Sequence, residues 1–186
     1  IKDGTFNGAV ENNGRIDNGT FKNMCRVINN RTIENGTFEG TVENNTNGTI
    51  SGGTFAGSVS NNGGTVNGGI FNGNTGLDEV TDLHSITVAS GAKIEKVNGV
   101  PAEWAPYVVT SNATTKEVTI TADTEIFSLN GKSIVASNCK SSYGNDKTIV
   151  TFTMPNDDVV LNKAITSTDL VMENGWPKDS NGGTIP

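Results

Sequence analysis

The residue types that most often perform chemistry are sparse in this chain. Its one histidine, His84, is followed directly by Ser85 at the start of a predicted strand. A serine nucleophile needs a base within hydrogen-bonding distance, and that base needs a third group to orient it. The sequence contains no HExxH, CxxC or GxSxG motif and no phosphate-binding loop. We therefore predict a protein that is not an enzyme, with no catalytic residue, no metal site and no cofactor.

Aromatic side chains are the residues that could bind a ligand. Trp104 and Tyr107 lie on either side of Pro106 in a predicted loop, and Trp176 lies near the end of the chain. Exposed Trp and Tyr suit a sugar ring because they combine a flat apolar face with a polar edge. The alternative is that Trp104 packs over the core of its own domain. We retain all three as candidate ligand-binding residues, for a glycan or a protein of the host or the environment.

The organisation of the chain is set by a repeat in its first 75 residues. Five phenylalanines recur every 15–17 residues, each with an aliphatic residue five positions earlier. In the first four repeats a small apolar residue also follows four positions later. Self-similarity at a short period is typical of a solenoid, in which each coil stacks on the next. The predicted ladder of core residues comprises Phe6, Phe21, Phe38, Phe55, Phe71, Ile16, Ile33, Ile50, Val66, Val10, Cys25, Val42 and Val59.

Stacked coils bring equivalent side chains to the spacing of neighbouring strands, about 4.8 Å. At that separation the phenylalanine rings can stack on one another. Paired asparagines such as Asn44 and Asn45 can form hydrogen-bonded ladders at one corner. Two series of corner residues are predicted to take positive φ. The first is Gly4, Gly19, Gly36, Gly53 and Gly69, and the second is Gly8, Asn23, Gly40, Gly57 and Gly73.

Glycosidases need two acids at a defined separation, so the carboxylates of the repeat bear on function. Glu11 and Glu43 occupy equivalent positions two coils apart, and the other acids of residues 1–75 do not share one position. Asp157 and Asp158 follow a Met-Pro step, where an Asp supports a turn. Coils of 15–17 residues also leave too small a face for a substrate groove. These features again favour a protein without enzymatic activity.

Composition argues against two further classes of protein. The 186 residues carry a formal net charge of −7 and a pI of about 4.6. This acidity opposes sequence-independent binding to nucleic acids, which depends on neutralising phosphates. No apolar run is long enough to span a bilayer. We predict neither a nucleic-acid partner nor membrane insertion.

After Asn74 the pattern changes to that of a small antiparallel sheet. Ile86–Val88 and Ile94–Val97 are predicted strands that flank Ser90-Gly91 as a hairpin. Further predicted strands are Val118–Thr121, Ser133–Val135, Val150–Met154 and Val159–Leu161. The predicted fold is all-β, a short single-stranded β-solenoid (β-helix) followed by a small antiparallel β domain. Its divisions are about 4.5 coils at 1–75, a cap or linker at 76–84, the β domain at 85–166 and a tail at 167–186.

Two segments of this second region, Val118–Ala122 and Thr148–Leu161, carry the motifs VTITA and TFTMPNDDVVL. They resemble the internalin B-repeat of bacterial surface proteins, whose opening strand is matched by Ile86–Val88. Where that family has a Gly-Trp step, this chain has Phe127–Gly131. The GGTF-type coils are similar to β-solenoid segments of large bacterial surface proteins and adhesins. The resemblance implies a small β module that serves as a spacer or adhesion element on a secreted or cell-wall attached protein.

Two functions therefore stay open. The first is a non-enzymatic, extracellular bacterial surface protein in which a rod and a β module serve adhesion or presentation. The alternative is a carbohydrate-binding module or a non-catalytic part of a glycan-active enzyme. Unpaired strand edges in the coil that contains Ile1 would also favour end-to-end self-association.

Overall fold

A computed structural model describes residues 1–73, 75–80, 82–88, 93–102, 106–110, 117–123, 128–130, 132–133, 140–144, 147–162, 170–173 and 176–179 of the chain. Over these residues the chain forms strands, turns and bends, with no helix. The predicted all-β fold is confirmed: a β-solenoid of about 4 turns is followed by a small antiparallel sheet.

The solenoid has three walls, and each wall is a parallel sheet to which successive coils contribute one strand. Wall A contains β1 (Thr5–Phe6), β4 (Thr20–Phe21), β7 (Thr37–Phe38), β10 (Thr54–Phe55) and β13 (Gly69–Phe71). Wall B contains β2 (Val10–Asn12), β5 (Arg26–Asn29), β8 (Thr41–Asn45), β11 (Val59–Asn62) and β14 (Thr75–Gly76). Wall C contains β3 (Arg15–Ile16), β6 (Thr32–Ile33), β9 (Thr49–Ile50) and β12 (Thr65–Val66). Strands this short still form because each one pairs with its equivalent in the next coil.

An internal column of stacked phenylalanines runs along wall A, as the repeat predicts. Neighbouring ring centroids are 4.9, 4.6, 4.7 and 4.8 Å apart, with interplanar angles of 4–13°. Phe21, Phe38, Phe55 and Phe71 are fully buried, whereas Phe6 in the first coil is only partly buried. The aliphatic residues of walls B and C pack against this column in one core.

A ladder of buried asparagines closes the corner between walls B and C. Asn12 donates its side-chain amide to Asn29, Asn29 to Asn44, and Asn44 to Asn61, at 2.7, 2.7 and 2.8 Å. The same amides also reach backbone carbonyls, including that of Thr32. A buried amide costs free energy unless it is hydrogen-bonded, and here each coil satisfies the amide of its neighbour. The predicted asparagine ladder is therefore confirmed.

The second coil departs from the predicted register at Cys25. The sequence analysis assigns Cys25 to the ladder, but Val10 pairs with Val27, and Val27 pairs with Val42. The assignment is wrong because this coil has two extra residues between walls A and B, which fixed spacing from the phenylalanine misses. Cys25 instead takes the position that Gly8 and Gly40 have in the neighbouring coils. Its thiol donates a hydrogen bond to the carbonyl of Gly8 at 2.7 Å. It is buried in the solenoid core, and it is a free cysteine.

Glycine is required in the two series for different physical reasons. Gly36 has φ of +134°, and its equivalents in the first series also have positive φ, as predicted. No residue of the second series has positive φ, so the prediction for that series is wrong. The assignment of Asn23 to this series is also wrong. A Cβ on Gly40 would lie 1.9 Å from the carbonyl oxygen of Cys25 in the previous coil. Close stacking of backbones, rather than backbone conformation, requires glycine there.

The second region contains two sheets and a separate strand pair. Its strands are β15 (Leu83–Val88), β16 (Ile94–Val97), β17 (Val100–Pro101), β18 (Tyr107–Val109), β19 (Glu117–Ala122), β20 (Ser128–Leu129), β21 (Lys132–Ser133), β22 (Lys140–Gly144), β23 (Lys147–Thr153), β24 (Val159–Asn162), β25 (Leu170–Glu173) and β26 (Trp176–Asp179). One sheet has the order β17-β16-β19-β23-β22, and the other includes β18-β15-β24-β20-β21. Residues of both sheets meet in one core, and within the described ranges β25 pairs only with β26.

The predicted hairpin of Ile86–Val88 and Ile94–Val97 is wrong. The first segment lies in β15, which pairs antiparallel with β18 and parallel with β24. The second forms β16, which pairs with β17 and β19 in the other sheet. Alternation of apolar residues predicts a strand but not its partner. Both predicted strands are therefore present, but they do not pair with each other. Most of the predicted strand Ser133–Val135 lies outside the described residues.

Wall A continues without a break into the second region. Its last strand, β13, pairs antiparallel with β18, so one sheet of 10 strands runs from the first coil to β21. Phe71 faces the solenoid core, whereas its neighbour Ile70 belongs to the core of the second region. Val108 and Val109 divide in the same way between the two cores. The division into domains at residues 75 and 85 thus stays a prediction, since the sheet crosses it.

Candidate functional site

The two extra residues of the second coil create an irregularity at the corner between walls A and B of the solenoid. The connection from β4 to β5 turns at Lys22, whose carbonyl accepts the N–H of Cys25 at 2.6 Å. Because the buried Cys25 anchors the end of this turn, the inserted residues project outward. Met24 is 88% exposed, the largest value among the exposed large hydrophobic residues of the described chain.

Beside Met24 lies a surface hollow of about 470 Å3. It is lined by Asn7, Lys22, Asn23, Met24 and Glu39, and we call this set the coil-2 corner. Its polar residues come from three successive coils, because Asn7, Lys22 and Glu39 each follow the phenylalanine of their own coil. The stacking of wall A therefore fixes their spacing along the rod. The corner combines an apolar side chain with amide, ammonium and carboxylate groups.

Ion pairs join the second and third coils on the two walls that flank this corner. On wall A, Lys22 Nζ lies 2.8 Å from Glu39 Oε1. On wall B, Arg26 donates two hydrogen bonds of 2.7 Å to the carboxylate of Glu43. All four side chains are partly exposed, so each pair contributes little to stability by itself. Together they place a row of cations on one coil and a row of anions on the next.

A polar cluster in the second region contains the residue types of a hydrolase but not their arrangement. The Ser85 hydroxyl donates to Asp158 Oδ1 at 3.0 Å, and the Ser85 N–H donates to the same oxygen at 2.7 Å. His84 Nδ1 lies 4.0 Å from Asp158, and its Nε2 lies 3.3 Å from Asn156 Oδ1. A nucleophile would instead hydrogen-bond to the imidazole. The contacts attach the turn before β24 to strand β15.

The electrostatics of this cluster follow from those hydrogen bonds. The Ser85 N–H, and then its hydroxyl, hold the pKa of Asp158 below its ordinary value, with a smaller contribution from His84. Both donors favour the ionised carboxylate. In the solenoid, burial raises the pKa of the Cys25 thiol. A raised pKa keeps the thiol protonated at neutral pH, which suits its role as hydrogen-bond donor to Gly8.

The three predicted ligand-binding aromatics are not brought together in the described part of the chain. Tyr107 lies in β18, opposite Phe71 and Ser85, and is 36% exposed. Trp176 begins β26, for which the structure describes only the backbone. Trp104 lies outside the described residues. A glycan platform made of these residues therefore stays a prediction.

Two features of the surface and junction were missed by the sequence analysis. The coil-2 corner has a signal in the sequence, because two more residues separate Phe21 from Val27 than separate Phe38 from Val42. The junction between the solenoid and the second region also has a signal in the sequence. The outward Thr of the first four coils is replaced by Ile70 in the fifth, and this isoleucine packs into the core of the second region.

The described residues contain no group of three or more His, Cys, Asp or Glu side chains arranged to hold a metal ion. Nor does any helix in the described ranges have the length and apolar character needed to cross a membrane. Comparisons of the chain with known protein families, curated proteins and solved structures found no match.

Proposed function

We propose that this chain is a non-enzymatic structural or adhesive element of a bacterial cell surface, secreted or attached to the cell wall. In this proposal the solenoid is a rod of GGTF-type coils, and the second region is a divergent internalin B-repeat-like module that the rod presents. The module then contacts a glycan or protein of the host or the environment. The function is mechanical and needs no cofactor.

The observation that carries this proposal is the continuous sheet between rod and module. Because β13 pairs with β18, backbone hydrogen bonds connect the rod directly to the module. Ile70 and Phe71 on that strand pack into the two cores on opposite faces of the sheet. Movement of the module relative to the rod would break both layers of packing. Such a connection favours the presentation of a module at a fixed distance and angle.

The packing of the coils supports the same role. The stacked rings, the buried asparagine ladder and the ion pairs each connect a coil to the next one. Every connection lies along the rod axis, so extension of the rod must break several of them at once. This is suited to an element that carries load.

Attachment and localisation test the proposal together. Antibodies against the chain should label intact, non-permeabilised cells of the organism that produces it. Beads coated with the purified chain should adhere to at least one extracellular protein or glycan surface, and no polysaccharide in the same panel should be cleaved. Exclusively internal labelling, adhesion to no surface, or turnover of a polysaccharide would each refute the proposal.

A carbohydrate-binding module is the second candidate function, favoured by the exposed ring of Tyr107 on the strand that joins rod and module. A glycan array distinguishes it from the first. Specific sugar binding that is lost in both Tyr107→Ala and Trp104→Ala would favour this candidate. Adhesion to a protein surface, with no glycan bound, would favour the first.

A further inference from the structure

The coil-2 corner carries an inference that is independent of an adhesive role. Its insertion leaves the core undisturbed, since the ring of Phe21 stacks on its neighbours at 4.9 and 4.6 Å like the others. The same insertion exposes a methionine almost completely. Exposed methionines are typical of adaptable binding surfaces, and insertions in repeat proteins often map to the binding face. The corner is therefore an interaction surface that the rod itself does not require.

The charges around this corner are self-complementary. The second coil presents Lys22 and Arg26, and the third coil presents Glu39 and Glu43 one strand spacing away. A two-fold axis perpendicular to the rod, passing through the corner between these two coils, would place the cation row of one copy over the anion row of the other. The two rods would then be antiparallel. Each copy supplies both members of every contact, which is the defining property of an isologous interface.

The apolar part of the corner fits the same arrangement. Met24 belongs to the same loop as Lys22, so the proposed axis brings the two Met24 side chains close together. The hollow of about 470 Å3 beside Met24 leaves room for the second methionine. Burial of this side chain supplies the apolar contact, and the rows of charge select the antiparallel orientation.

We propose that the coil-2 corner is a self-association surface, at which a second copy of this chain docks antiparallel to the first in a two-fold dimer. A foreign partner would need its own matching rows of charge, whereas a second copy carries them already. The contact is small compared with standard interfaces, so the dimer is expected to be weak. Closure by the two-fold axis limits the assembly to two copies.

Sedimentation velocity over about 10 μM to 1 mM protein tests the proposal. The expected result is a monomer–dimer equilibrium without larger species. Met24→Glu should raise the dissociation constant at least about tenfold. Thr65→Glu makes the same change in charge at an exposed position of β12 on wall C and should leave the constant within about twofold.

A charge-reversal cycle separates this interface from other associations. Lys22→Glu should weaken the dimer, and the double variant Lys22→Glu/Glu39→Lys should restore it, because both pairs are then reversed together. Circular dichroism would verify that the variants keep the wild-type fold. A wild-type chain that stays monomeric over the full range would overturn the proposal. So would association that continues beyond dimers, that persists in Met24→Glu, or that is not restored in the double variant.

Discussion

The solenoid and the second region bury their apolar residues in different ways. In the solenoid each short strand pairs with its equivalent 15–17 residues away, as Phe21 does with Phe38. The second region has no such constant spacing: Ile86 in β15 pairs with the distant Val159 in β24, whereas Val97 in β16 pairs with the nearby Val100 in β17. Identical side chains stack in the first region, whereas unlike side chains interdigitate in the second. Local, repeated contacts let strands of two to five residues form the solenoid sheets, whereas the second region also contains longer strands such as Lys147–Thr153.

The connection between the two regions shows how these modes are combined. Strand β13 keeps the parallel register of the solenoid on one edge and accepts the antiparallel β18 on the other. The open edge of a solenoid sheet favours aggregation, and β18 covers that edge on wall A. Leu77 and Val109, which follow Phe71 in the chain, also pack into the solenoid core. The second region is thus also the cap of the first.

The largest effect is expected at the centre of the phenylalanine column. Phe38→Ala should lower the free energy of unfolding by about 3–5 kcal/mol, because it opens a cavity between two stacked rings. Phe6→Ala is the matched control, with one ring neighbour and partial burial, and its loss should be clearly smaller. Urea unfolding followed by circular dichroism measures both. Equal losses would contradict a stack whose stability depends on neighbours.

Backbone stacking gives the next largest effect. Gly40→Ala should cost about 1–3 kcal/mol or more, because its Cβ would meet the Cys25 carbonyl oxygen of the adjacent coil. Gly8 has the same position in the first coil, with nothing within 4 Å of its Cβ, so Gly8→Ala should change stability by less than about 0.5 kcal/mol. The same unfolding assay applies. If Gly40→Ala were as well tolerated as Gly8→Ala, the coils would not stack as described.

A change at the junction should affect the two regions unequally. Ile70→Thr restores the residue of the other coils but places a hydroxyl in the core of the second region, at a cost of about 1–3 kcal/mol. Hydrogen exchange should become faster in β15 and β18, while β4 and β7 stay protected. Thr37→Ile, at the equivalent position of the third coil, is the control and should leave both regions protected. Uniform loss of protection in Ile70→Thr would contradict two distinct cores.

The smallest effect is expected at Asp158, and it depends on pH. The pKa of its carboxyl is lowered in the folded state by the Ser85 donors, so its contribution is present above the ordinary value of 3.8. That contribution is lost as the pH falls through the lower, folded pKa. The exposed position of Asp158 keeps the effect small. Thermal unfolding of Asp158→Asn between about pH 2 and 6 should show less acid sensitivity than wild type, and identical profiles would contradict this role.

The sequence determined the solenoid much more completely than the second region. Repetition fixes both the strands and their partners, so the column from Phe6 to Phe71 and the asparagine ladder follow from spacing alone. The exception is Cys25, where two inserted residues shift the register and only the neighbouring coils reveal it. In the second region, apolar alternation located strands such as Glu117–Ala122. It could not show that β15 pairs with β24, because that choice depends on contacts across most of the domain.

The candidate site was harder to predict than the fold. The candidate aromatics were selected for chemical type, which carries no information about their spacing in the folded chain. The coil-2 corner depends on residues from three coils, such as Asn7 and Glu39, which become neighbours only through stacking. Ile70 is the counterexample, since one departure from the repeat marks the strand where the second core begins.

The continuity of one sheet from the solenoid into the second region can be measured in solution. Cross-strand proton contacts in isotope-labelled protein report on it, because Ile70 is paired with Val108 and Phe71 with Tyr107. Nuclear Overhauser effects across these pairs are expected, together with one rotational correlation time for both regions. Absence of these contacts, with independent tumbling of the two regions, would contradict this continuity.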